Sequence, residues 1–312
     1  MFPKLKSKII LAPLAGINDP AFRLLCRENG AAMVYSEMIN ADALANASES
    51  TKFLLEYSEK ERPIGFQLFG NDPKTFAKAA KIVEPRADVI DINMCCPAGK
   101  IVKIGAGCAL MSNLDLAEEI IRSVVSAVKK PVTVKLRLGV DKQHITCIKL
   151  AKIAEKAGAS AVALHPRTEE QAFGGKPAMD FIRQLKEILK ITVIGNGNVI
   201  DGPSAKKMFD KTGCDYIMLG RAPLGNPAIF KEINHYLETG KELKLTDKER
   251  LCLFSKYVEY AKDYDRIHFQ YIKQQAAYFT KGLHGGRQLR VRLMKANSVQ
   301  EIQSILKDQC LI

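Results

Sequence analysis

No stretch of this sequence approaches the ~20 uninterrupted apolar residues that a membrane-spanning helix needs. The basic start (Lys4, Lys6, Lys8) followed by IILAPLAGI looks superficially like a signal peptide. That run is broken by Pro13 and Gly16 and passes straight into NDPAFR, so it reads as a strand and its loop. The eight cysteines are scattered, with no CxxC pair and no regular framework. Their pattern argues against a disulfide scaffold and for a reduced, cytoplasmic setting. Low-complexity segments, Ser/Gly linkers and helical-repeat periods are also missing. With 47% apolar and 26% charged residues, the composition excludes disorder and collagen-like structure.

Acidic residues are the scarcer charged class: 47 Lys and Arg face 34 Asp and Glu, a formal net charge of +13. Such a balance suits a polyanionic partner, although lysine-rich proteomes also produce basic proteins without one. The imbalance is sharpest near the end. Between Arg266 and Gln300 stand Arg266, Lys273, Lys281, Arg287, Arg290, Arg292 and Lys295, with no acidic residue among them. A solvated helix face usually mixes signs, so this run favours phosphate contact.

The 312 residues leave room for two domains, or for one large barrel with an appendage. Short β-branched runs recur at 8–12, 32–37, 64–69, 88–93, 132–138, 161–165, 191–195 and 215–220. Helix-like stretches lie between them at 19–29, 73–83, 115–129, 144–157 and 202–212, with good starts at Asp72-Pro73 and Asn113. Eight strands alternating with helices match a parallel (β/α)8 TIM barrel in number, order and length. A doubly wound sheet also accepts the alternation, but it does not explain why nearly every strand ends in polar or glycine-rich residues. In a barrel all those ends converge on one face, where such folds place their sites. The pattern turns all-helical from about residue 240. We therefore expect a barrel over 1–240 and a smaller helical domain over 241–312. There Phe254, Tyr257, Tyr260 and Tyr264 recur at helical spacing and read as helix core.

The loops GNGN (195–198) and LGRAPLGNP (219–227) follow strands seven and eight. Glycines let backbone N–H groups approach an anion, and Arg221 adds a charged fork, so the pair suits a phosphorylated cofactor. Lys135 inside VTVKLRL either snorkels outward or points at an anion in the barrel mouth, and Arg137 two residues later favours the second reading. His165, before Pro166-Arg167-Thr168, is either a satisfied core histidine or a functional one. Cys95-Cys96-Pro97 makes a poor metal site, because no second thiol or histidine pair stands at ligand spacing. An inert buried thiol or a catalytic thiol above the barrel remain. The Gly/Lys-rich loop that follows suits a mobile flap. Cysteines 26, 147, 214, 252 and 310 lie in helix-like or apolar contexts and read as packing, with Cys108 left open.

Taken in order, LAPLAGINDPAFR, QLFGNDP, DINMCCPAGKIVKIGAGCALM, PVTVKLRLG, HPRT with its nearby GG, GNGN, YIMLGRAPLGNP and IKQQAAYFTKGLHGGRQLRVRL resemble the tRNA-dihydrouridine synthases, from about residue 9 to residue 300. The resemblance implies a flavin mononucleotide (FMN) cofactor held by Pro13, Leu14 and Ala15, with Gln67 and Lys135 at the isoalloxazine edge and His165 nearby. It implies a phosphate site at Asn196, Gly197, Asn198, Gly220 and Arg221. By the same resemblance hydride passes from reduced FMN to carbon 6 of a uridine, and Cys96 gives the proton to carbon 5. Asn93 and Arg137 become uracil-side contacts, and Lys273, Lys281, Arg287, Arg290 and Arg292 tRNA contacts. NADPH is then the reductant, tRNA the partner, and a monomer is enough. No membrane or metal partner is implied. The chain departs from the pattern at Cys95 (usually glycine), Asn198 (usually the aspartate of NGD), Pro166 (usually glycine), and Met179 and Ala228 (often tryptophan). Two other readings are an FMN-dependent dehydrogenase of a free pyrimidine, as in dihydroorotate dehydrogenases, and a non-catalytic RNA-binding barrel. The unopposed basic tail opposes the first; Cys96, Lys135, His165 and both phosphate loops oppose the second.

Overall fold

The computed structural model describes residues 1–264 and 269–310. Arg266 of the basic run and the side chain of Cys310 lie outside the described residues. Eight strands form one sheet: β1 (Ile9–Leu11), β2 (Val34–Asn40), β3 (Ile64–Phe69), β4 (Val89–Met94), β5 (Val132–Leu136), β6 (Ala161–Leu164), β7 (Thr192–Asn196) and β8 (Tyr216–Leu219). Every paired strand runs parallel to its neighbour in sequence, and β1 returns to β8. The gap between β1 and β2 is bridged by Leu11 N–H donating to Met33 O (3.0 Å) and Ala32 N–H to Ile9 O (2.7 Å). This is the expected (β/α)8 barrel.

The outer helices are α1 (Pro20–Glu28), α2 (Ala41–Ala45), α3 (Glu49–Lys52), α4 (Pro73–Val83), α5 (Gly99–Val102), α6 (Leu114–Ala127), α7 (Cys147–Lys156), α8 (Asp180–Ile188), α9 (Gly202–Thr212) and α10 (Ile229–Thr239). Sharp starts have chemical causes. Asp72 accepts from Lys74 N–H and Thr75 N–H ahead of Pro73, and Asn113 accepts from Leu116 N–H, filling donors that a helix leaves unpaired. The β2–β3 crossover lacks a long helix, being split into α2, α3 and two 3-10 turns.

Alternation along the strands separates two apolar bodies. Ile9, Leu11, Phe66, Leu68, Ile90, Ile92 and Val134 pack against the helices. Ile10, Met33, Tyr35, Val89, Ala161, Ile194 and Met218 fill the lower barrel interior. Gly65 is required there: a Cβ at this position would stand 2.4 Å from the Tyr35 ring. Moving up the same interior positions, the residues turn polar: Gln67 on β3, Asp91 and Asn93 on β4, Thr133 and Lys135 on β5. All five are buried. The apolar floor thus gives way to a polar mouth at the C-terminal strand ends.

After the barrel come α11 (Asp247–Ala261), α12 (Phe269–Phe279), α13 (Gly286–Lys295) and α14 (Val299–Cys310). Phe254 and Tyr257 are core, Phe254 stacking on Phe279 with ring centroids 5.1 Å apart. Tyr260 and Tyr264 are only partly covered. Tyr257 Oη–H donates to Asp19 (2.8 Å), while Tyr260 and Lys256 meet Glu28 at 2.8 and 2.6 Å. Gly225 lets this region close on the barrel, since a Cβ there would meet Tyr278 O at 2.2 Å. Cys26, Cys147 and Cys214 are buried as expected. Cys252 is not: it is exposed, because α11 turns Leu251, Phe254, Tyr257 and Val258 inward instead. In the loop after β4, read as suited to a mobile flap, Ile101 and Ala106 pack against Phe69.

Candidate active site

The strand ends enclose a cavity of about 710 Å³, within the range of cofactor and small-molecule sites. The cavity gathers Pro13, Leu14 and Ala15 from the first loop, Gln67, Asn93, Cys96, Lys135, Arg137 and His165 from the middle strands, and Asn196, Gly197, Asn198, Gly220 and Arg221 from the last two. Lys281, from the α12–α13 turn, also lines it. Lys273, Arg287, Arg290 and Arg292 do not: they sit on α12 and α13. Lys273 Nζ donates to Met294 O at 2.9 Å and lies 4.9 Å from the Phe269 ring centroid.

Among the described residues, five cationic ones (Lys135, Arg137, Arg167, Arg221, Lys281) line the cavity, and no carboxylate does. Backbone oxygens hold the deepest of them. Arg137 donates to Cys95 O (3.0 Å), Thr168 O (2.9 Å) and Ala172 O (2.7 Å). Arg167 donates to Gly174 O and Gly175 O, both at 2.8 Å, and to Asn198 Oδ1 at 3.0 Å. Carbonyls orient a guanidinium without cancelling its charge, so the mouth is built to receive an anion. The glycines agree. A Cβ on Gly220 would project into open space, whereas Gly197 (φ +126°) has His165 Cδ2 3.3 Å from where its Cβ would be. The first loop is tied from beneath by Asn18, which donates to Ala12 O (2.8 Å) and Tyr35 O (2.9 Å).

His165 accepts at Nε2 from Arg167 Nη1, 3.2 Å away. A guanidinium only donates, so the imidazole is neutral there. Burial first, and then Lys135, Arg137, Arg167 and Arg221, pull its pKa down to about 2. The Cys96 thiol is half-buried and its pKa is raised, chiefly by burial, against a lowering by the Ala98 N–H. It therefore stays protonated at neutral pH, as an acid must and a nucleophile must not.

Three features of the site escaped the sequence reading. Cys95 is covered, and Lys135 Nζ donates to its Sγ at 3.1 Å. Cys108 is buried, with its Sγ 3.1 Å from Cys95 O. Phe173, 57% exposed on a glycine loop, lies under Arg221 (4.8 Å to the ring centroid) and Arg137 (5.7 Å). An exposed aromatic in AFGG gives no local signal; its role arises from two arginines distant in sequence.

The dihydrouridine synthase family model matches residues 10–312. The chain is 37% identical over 305 residues to a tRNA-dihydrouridine synthase B of Pseudomonas putida, covering 96% of this chain and 89% of that protein. The chain belongs to the dihydrouridine synthase family. Family relatives also called tRNA-dihydrouridine synthase B include one from Escherichia coli, 40% identical over 252 residues (80% of this chain, 78% of that protein). Another is from Proteus vulgaris, 42% identical over 241 residues (77% and 75%). The fold is shared more widely. A morphinone reductase mutant solved with tetrahydroNAD superposes with a TM-score of 0.55 at 14% identity, covering 79% of this chain and 90% of that one.

Proposed function

We propose that this member of the family reduces uridines of tRNA to 5,6-dihydrouridine with FMN as cofactor and NADPH as reductant. The observation that carries the reading is a cationic mouth, lined by no carboxylate among the described residues, with a protonated thiol on its wall. FMN, when bound and reduced, supplies the hydride for carbon 6 of the uracil.

The chain's own residues do the rest. Asn196, Gly197, Asn198, Gly220 and Arg221 would hold the phosphate, where the open face of Gly220 leaves room for it. Pro13, Leu14 and Ala15 would flank the ring system, and Gln67 and Lys135 would donate to its polar edge with His165 alongside. Lys135 there favours an anionic form electrostatically. Asn93 and Arg137 would orient the uracil, and Cys96 delivers a proton to carbon 5. A uridine reaches this depth only after unstacking, at a cost of a few kcal/mol. We assign that work to residues 241–312, with Lys273, Lys281, Arg287, Arg290 and Arg292 on the RNA backbone and residues 1–240 carrying the chemistry. Among the described residues no helix is long and apolar enough to cross a membrane. We place the enzyme in the cytoplasm as a monomer, a setting that keeps scattered cysteines reduced.

The test is anaerobic. Protein reduced with NADPH is mixed with unmodified tRNA, and flavin absorbance is followed. Rapid reoxidation with dihydrouridine in the product is expected. A flavin that reduces but is not reoxidised by tRNA overturns the substrate assignment, and no flavin after reconstitution overturns the enzyme.

A further inference from the structure

Beneath the cavity lies a carboxylate that the roles above leave unused. Asp91 has no exposed surface. Its Oδ2 accepts from Gln67 Nε2 at 2.6 Å, and its Oδ1 accepts from the Thr133 hydroxyl. Gln67 Oε1 in turn accepts from Asn93 Nδ2 at 2.8 Å. Asn93 Oδ1 then accepts from two backbone groups, Cys95 N–H at 3.0 Å and Cys96 N–H at 2.9 Å.

The direction of this chain is forced from both ends. An ionised carboxylate can only accept, and a backbone N–H can only donate. Two primary amides in series between them have one arrangement that satisfies every bond. Reversing Gln67 would set its oxygen against Asp91; reversing Asn93 would set its NH2 against two N–H groups. Each mismatch leaves a buried polar group unpaired, which is costly.

We propose that Asp91 is a positioning residue for the reaction: through Gln67 and Asn93 it fixes the turn that carries Cys96, and it leaves the second N–H of Gln67 free for the cavity. The kinetic consequence rests on the proton-donor reading of Cys96, but the geometric claim does not. It is therefore tested by alkylation, which requires neither cofactor nor RNA, with exposed Cys252 as an internal standard.

In Asp91→Asn the carboxylate becomes an amide that can turn either face to Gln67, at nearly unchanged volume. The ratio of Cys96 to Cys252 alkylation by iodoacetamide, read by peptide mass mapping, is expected to change several-fold. In the holoenzyme kcat is expected to fall on the order of 10-fold or more while KM for tRNA holds, as for a misplaced reacting group. The double variant Asp91→Asn/Gln67→Glu moves the acceptor-only group one step along. It can take a bond from both asparagines, so the alkylation ratio is expected to return to the wild-type value. Flavin affinity is not expected to return, because the Gln67 N–H is gone.

A single variant that alkylates and turns over like wild type overturns the proposal. So does a double variant that fails to restore the ratio, since Asp91 would then act by charge or packing alone. Should Asp91→Asn not fold alone, the double variant keeps the test, since it restores an acceptor-only group to the relay: a Cys96-to-Cys252 ratio unlike that of wild type overturns the proposal equally.

Discussion

The cations of the barrel mouth and those of α13 differ in burial. Lys135, Arg137 and Arg167 are 7%, 1% and 2% exposed, seated on or just past β5 and β6, with the two guanidiniums gripped by backbone oxygens. Arg287, Arg292 and Lys295 are exposed on α13. The first group has fixed geometry, little screening and an enclosed volume to act in. The second acts on water-exposed anions through a field that salt screens within about 10 Å. On the function proposed above, equal charge serves unequal tasks: orientation of one small anionic ligand inside, and capture of an extended polyanion outside.

The sharpest way to break this division is at its chemical end. Cys96→Ala should lower single-turnover uridine reduction by ~10²–10⁴-fold, the loss typical of a general acid, with flavin and tRNA binding kept. Full activity would hand the proton to another residue, Cys95 first. The outer group is probed by Arg287→Ala, Arg290→Ala and Arg292→Ala together. tRNA affinity should fall, and the slope of log K against log salt should become shallower by roughly one for each phosphate no longer neutralised, with flavin affinity unchanged. An unchanged slope would remove these residues from the RNA path.

The smallest effect concerns the inner group and pH. The unfolded chain takes up a proton at His165 as pH falls through 6.5, whereas the folded chain resists until about 2. Folding stability from this group therefore declines as pH drops through that window. His165→Gln should lose less Tm than wild type over the same range. Equal losses would show that the imidazole is not held neutral.

Legibility in the sequence followed the strength of local signals. The run 64–69 and the helix 73–83 coincide with β3 and α4, because Asp72-Pro73 marks the helix start. The β2–β3 crossover has caps at Asn40 and Ser58 but no sustained helical period, and its division into short helices was not readable. Polar residues at interior strand positions announced the site, since a barrel core is otherwise apolar. Cys252 misled because apolar neighbours in sequence do not say which side of a helix faces in. The contact of Lys135 with Cys95, the Phe173 shelf and the Asp91 relay each join residues far apart in the chain. Only the closed barrel puts them together.

The most direct measurement of the division is a pair of salt titrations on the wild-type protein, one for FMN affinity and one for affinity to unmodified tRNA. A steep loss of tRNA affinity beside a shallow loss for FMN is the predicted result, because several phosphates release counterions outside while one enclosed phosphate does so within. A tRNA affinity as shallow in salt as that of FMN would contradict the account.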